Sequence, residues 1–205
     1  MSTQWPPPSG KLSTPSVPAN ETTFTIIGTA TIHAPASKVF AVTRDISKYG
    51  EWNSFCPTVT IQSQPEDADN PAILHVGTFF TFGAVMDSNK PHKVNDTALQ
   101  VSDISTPDHP STYIPSATLE EDKSYTSDLS KIYRIAWKSA PGLITLGVRT
   151  ERFHEIIVLG ENECEVRTWE NMAGPLAYVV KWMYQKTLDA KFRDWCDNLK
   201  KYCEK

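Results

Sequence analysis

The chain has 205 residues, 40% hydrophobic and 21% charged, with 20 Lys and Arg against 24 Asp and Glu. That length supports one domain with a real core and needs no disulfide or metal staple. A net charge of -4 argues against nucleic acid or an anionic membrane as a partner held mainly by electrostatics, and no apolar run approaches the roughly 20 residues that span a bilayer.

Residues 1–22 hold five of the fifteen prolines among Ser, Thr and Asn, a composition that predicts a disordered arm. The first residues lack the cationic and then apolar pattern of a secretory leader, so a cytoplasmic protein is expected. Cys56, Cys164, Cys196 and Cys203 show no C-x-x-C spacing. The last two lie seven apart in a helical stretch, roughly 10 Å along its axis, too far to bridge. Reduced thiols and no zinc follow.

Order begins with a β-branched run at 24–32, a strand by composition. The turn at 33–37 offers Ser37 as a cap for a short helix to Arg44, and Asp45 caps a second through 46–50. Period-two patterning then predicts strands at 58–64, 76–86, 97–104, 132–139, 143–159 and 164–171. No long helix separates them, so the sheet is antiparallel. Residues 105–130, rich in Pro, Ser, Thr and Asp, read as a loop insertion, either lid or disorder. Their five acids, opposed by Lys123 alone, equal the whole formal charge imbalance. Gly174-Pro175 starts a helix that continues without Gly or Pro to about Tyr202. Its apolar stripe drifts, from Leu176, Val180, Met183 and Thr187 to Leu188, Phe192, Trp195 and Leu199.

Four groups of residues resemble the START-like helix-grip superfamily, which includes birch-pollen-allergen-like proteins, polyketide cyclases/dehydrases and lipid-transfer domains. They are Ala30-Thr-Ile-His-Ala-Pro-Ala-Ser-Lys-Val-Phe40, Asp45-Ile-Ser-Lys-Tyr-Gly-Glu-Trp-Asn53, the run Arg149-Thr-Glu-Arg-Phe-His154 with Thr168-Trp-Glu170, and Gly174-Pro-Leu176 with Phe192-Arg-Asp-Trp195. The resemblance implies an α+β helix-grip fold: a seven-stranded curved antiparallel sheet wrapped around a long C-terminal helix, with two short helices after the first strand. It would make 23–205 a single domain carrying the 105–130 insertion, with an internal cavity for a hydrophobic or aromatic small molecule.

Strand alternation suggests which side chains reach such a cavity. On the last strand Glu170 shares a face with Cys164, Val166 and Thr168, so an inward carboxylate is expected, with a raised pKa if buried. On the preceding strand Arg149, Glu151, Phe153 and Glu155 share one face and Thr150, Arg152, His154 and Ile156 the other, and neither is cleanly apolar. His154 is a candidate base, and Arg149 or Arg152 a candidate for holding an enolate oxygen. The working set of catalytic candidates is Glu170, His154, Tyr133 and Arg149. The ligand-binding candidates are Asn53, Phe80, Phe82, Trp137, Leu176, Val180 and Met183. No phosphate loop, nucleophile elbow or zinc helix is present, so neither a metal nor another cofactor is called for. The resemblance implies a cyclase/dehydrase-like enzyme of specialised metabolism. A non-catalytic lipid, sterol or quinone carrier or sensor, and a protein-interaction module, are the alternatives. Monomer and dimer both remain open.

Overall fold

The computed structural model describes residues 5–141 and 147–205. Strand β1 (Phe24–Ile32) leads into α1 (Ala36–Arg44), a 3-10 turn (Ile46–Lys48) and α2 (Tyr49–Trp52). Next come β2 (Thr58–Ser63), β3 (Phe79–Val85), β4 (Val94–Ser105), α3 (Ser116–Glu121), a second 3-10 turn (Leu129–Lys131), β5 (Ile132–Ser139), β6 (Arg149–Gly160), β7 (Glu163–Ala173) and α4 (Pro175–Cys203). The seven strands form one antiparallel sheet in the order β1-β7-β6-β5-β4-β3-β2. The expected strand at 143–159 is observed from Arg149, and its residues 143–146 lie outside the described residues. Asp45 does cap the first 3-10 turn, accepting from Ser47 N at 3.0 Å, whereas α1 starts one residue before Ser37 without a side-chain cap.

The concave face of the sheet grips the second half of α4. Phe192, Trp195, Cys196, Leu199 and Cys203 are buried against Ile26, Ile32, Val39, Trp52 and Val166. The approach is close enough to demand a glycine in β1: a Cβ on Gly28 would stand 2.8 Å from Cys196 Sγ and 3.0 Å from Phe192 O. The drift of the apolar stripe has its explanation here, because, of the buried α4 residues, Ala177 alone belongs to the first half and the rest run from Leu188 to Cys203.

The convex face is covered too, and by the segments whose composition reads as disordered. Leu12 and Val17 of the arm are fully buried. Leu12 joins Ile114, Leu119 and Tyr125 of the insertion over Ala136, Phe153 and Trp169 of the sheet. Hydrogen bonds fix the register: Trp169 Nε1 donates to Ser13 O at 3.0 Å, and Asn171 Nδ2 to Leu12 O at 2.7 Å and Val17 O at 3.0 Å. From residue 5 on, the arm is therefore a packed strap. Its prolines suit an extended segment that takes its hydrogen bonds from another surface. The insertion likewise carries α3 and lies across the sheet from α4.

This second layer explains why neither face of β6 reads as apolar, since both are buried and the outer one carries charges with partners. Glu155 accepts from Arg134 Nη2 at 2.8 Å and from Thr126 Oγ1 at 2.7 Å. Glu151 accepts from Ser16 N and Tyr113 Oη, both at 2.7 Å. Buried charges are tolerated when bonded in this way.

Candidate functional site

Between the sheet and the first half of α4 lies a cavity of about 400 Å³. Its apolar walls come from Phe82 and Ala84 of β3, Leu99 of β4, Trp137 of β5, Met172 of β7, and Val180 and Leu188 of α4, with Phe55 and Cys56 from the segment after α2. Thr150, Arg152 and Glu170 bring polar groups to the sheet side, and Asn95, Thr97 and Tyr184 to the exposed rim.

The β6–β7 register places Arg152 directly opposite Glu170. Arg152 is buried, with its guanidinium carbon 3.8 Å from the centre of the Phe192 ring and 5.0 Å from that of Trp195. Its Nε donates to Thr168 Oγ1 at 3.1 Å, and its Nη2 is buried without a hydrogen-bond partner. Burial lowers its pKa, opposed by the Glu170 charge, but an arginine begins so high that the cation persists. Glu170 is enclosed by protein while water reaches it through the cavity. Burial raises its pKa, tempered by Arg152 and the Thr150 hydroxyl. A carboxyl poised to hold or release a proton therefore stands opposite a fixed cation across the β6–β7 pair, both backed by apolar walls. That set can stabilise an oxyanion and move a proton next to it. The Cys56 thiol is pushed up to about 12 by burial, so it contributes an uncharged wall atom.

Of the residues singled out by sequence, Glu170, Phe82, Trp137 and Val180 line the cavity. Phe80 lies in the core, edge-on to Phe82 at 4.9 Å. Asn53 is buried with its Oδ1 accepting from Cys56 N at 2.9 Å, so it shapes the loop that presents Cys56. His154 is packed between Trp137 (4.3 Å) and Trp195 (4.7 Å), with neither ring nitrogen bonded. Burial, and then Arg152, drive its pKa well below the ordinary value, so it is a neutral core group rather than a base in the wall. Tyr133 packs on Phe40, ring centres 5.3 Å apart, also away from the cavity wall.

Arg149 stands on the convex side, paired with Glu21 at 2.6 Å. The arginine of the cavity is its neighbour on the opposite face, Arg152. Leu176 and Met183 are about half exposed on α4 and do not line the cavity. The signal that finds Arg152 is parity: it alternates with Thr150 and Ile156, and antiparallel pairing sets that face beside Glu170. Among the described residues no group of three or more His, Cys, Asp or Glu side chains is arranged to hold a metal ion.

A curved antiparallel sheet gripping a long C-terminal helix, with a cavity between them, is the START-like helix-grip fold, and this chain has it. A START superfamily protein from Mycobacterium smegmatis superposes with a TM-score of 0.57 at 13% identity, covering 88% of this chain and 97% of that one. The Zhui aromatase/cyclase from a Streptomyces species gives 0.58 at 10% identity, covering 88% and 93%. In sequence, the chain is 28% identical over 200 residues to the oxopyrrolidines biosynthesis cluster protein O of Penicillium oxalicum, covering 94% of this chain and 93% of that protein. No protein-family model matches the chain.

Proposed function

We propose that the chain is a cofactor-independent cyclase/dehydratase-type enzyme of specialised metabolism, acting on an apolar or aromatic small molecule held in the cavity. The observation that carries this reading is the pair Arg152 and Glu170, opposed across β6 and β7 in an otherwise mainly apolar wall. The name of the Penicillium relative, a biosynthesis cluster protein, and the likeness of fold to an aromatase/cyclase support the setting.

In this reading a substrate carbonyl oxygen settles beside the Arg152 guanidinium at the cavity wall, whose fixed charge stabilises the enolate that forms when the adjacent carbon loses its proton. Glu170 in its ionised form accepts that proton. The carbanion closes the ring on a second carbonyl, and Glu170 returns the proton to the new alkoxide. Loss of water then needs the same two moves, a proton off carbon and one onto the departing hydroxyl. Apolar walls that fold the chain into register supply much of the remaining rate.

Mass spectrometry of small molecules extracted from the purified protein identifies the ligand class, and turnover is then measured on it. Glu170→Gln is expected to keep binding while turnover falls at least about a hundredfold, and Arg152→Gln to weaken both. The mainly apolar lining favours a carrier as the second reading. Unchanged turnover in Glu170→Gln, or tight ligand binding with no chemistry in the unmodified protein, would favour it over the enzyme.

A further inference from the structure

The first half of α4 carries six large apolar side chains in solvent: Leu176, Tyr178, Val179, Trp182, Met183 and Tyr184. Trp182 is 85% exposed and Tyr178 67%. Exposed apolar clusters of this kind mark interaction surfaces. At 100° per residue five of the six, all but Tyr184 at the cavity rim, cover an arc of about 160°, wider than the stripe of about 100° that a helix presents to one neighbour. An exposed apolar face this broad suits a medium that yields around it.

The charges nearby point the same way. From Gly174 to Leu188 the chain has Lys181 and Lys186 and no carboxylate. The β3–β4 turn, which meets α4 through Lys191 Nζ and Ser88 Oγ at 2.8 Å, adds Lys90 and Lys93. The flanking acids are Asp87, paired with Lys90 at 3.6 Å, Asp96 on β4, Asp189, and Asp194, paired with Lys191 at 3.9 Å. The acidic 105–130 segment lies across the sheet, so the overall charge of -4 conceals a half-helix whose only charges are the two lysines. Exposed Trp and Tyr with flanking Lys are the composition that settles at a lipid headgroup boundary. No described helix is long and apolar enough to cross a membrane, so α4 would lie on the surface. Val180 and Tyr184 belong both to this half of the helix and to the cavity wall, so the exposed apolar face adjoins the cavity.

We propose that the rim formed by the first half of α4 and the β3–β4 turn docks on an anionic phospholipid bilayer, the source or destination of the apolar ligand. Only the purpose of docking rests on the ligand-binding reading; docking itself is measured without any ligand.

The test is co-sedimentation of the full chain with vesicles of phosphatidylcholine, with and without phosphatidylserine. Binding is expected only where phosphatidylserine is present, weakened about tenfold or more by Trp182→Glu and by Lys181→Glu with Lys186→Glu, with the melting temperatures of these surface variants unchanged. The proposal is overturned by no binding to phosphatidylserine vesicles, by equal binding to neutral ones, or by undiminished binding of Trp182→Glu. A concentration-dependent dimer that Trp182→Glu dissolves, with no vesicle binding, would assign the patch to a second copy of the chain instead. Failure here leaves the turnover test of Glu170→Gln untouched.

Discussion

At the scale of single residues, the concave side holds three ionisable groups in a row whose environments push them apart. Arg152 stays cationic, Glu170 is biased toward its protonated form, and His154 is kept neutral. The histidine has a consequence for stability. Folding depresses its pKa, while unfolding restores the ordinary value of 6.5. Below that pH the unfolded chain binds a proton that the folded chain refuses. The His154 contribution is therefore fully present above pH 6.5 and is lost as the pH falls, at up to about 1.4 kcal/mol per pH unit. His154→Phe, which keeps an aromatic ring between the two tryptophans, should flatten the acid side of the stability profile from about pH 6.5 to about pH 5. Denaturant midpoints across that range measure it, and parallel slopes in the two proteins would show that His154 does not titrate on unfolding.

Among the elements, the close contact of β1 with α4 sets the depth of the grip. Gly28→Ala puts a methyl group against Cys196 Sγ and the Phe192 carbonyl, both fixed by the buried half of the helix. A loss of about 1–3 kcal/mol is expected from overpacking. Gly160→Ala, where nothing lies within 4 Å, serves as the control with little change, and equal urea midpoints for the two variants would refute the argument. The order of these elements was legible because each announces itself locally: β-branched runs for the strands, Asp45 at its cap, Pro175 opening the last helix. Glu170 was legible for the same reason, since alternation along β7 is a local property. Arg149 and Arg152 were not separable in that way. The usual guide is one apolar face and one wet face, and β6 has neither, because a strap that looks disordered by composition buries its outer charges. The pairing of Arg152 with Glu170 is a product of strand register, which no single strand encodes.

For the whole molecule, the sheet is the middle of three layers, with α4 and the cavity on one side and the arm with the insertion on the other. Proline-rich composition bars a segment from making its own core, yet it does not bar it from completing one. Leu12 finds an apolar surface already built by Phe153 and Trp169, while Asn171 donates to the Leu12 and Val17 carbonyls and Trp169 to that of Ser13. The two descriptions of the arm differ by a measurable amount. In a disordered arm Leu12→Ala would change stability by a few tenths of a kcal/mol at most, whereas in a docked strap it empties a fully buried site and should cost about 2–5 kcal/mol. Urea denaturation of the full chain decides between them. The cavity lies on the far side of the sheet, so ligand binding by the folded Leu12→Ala protein should match that of the unmodified chain. A loss of binding equal to the loss of stability would mean that the strap sets the curvature of the sheet as well as covering it.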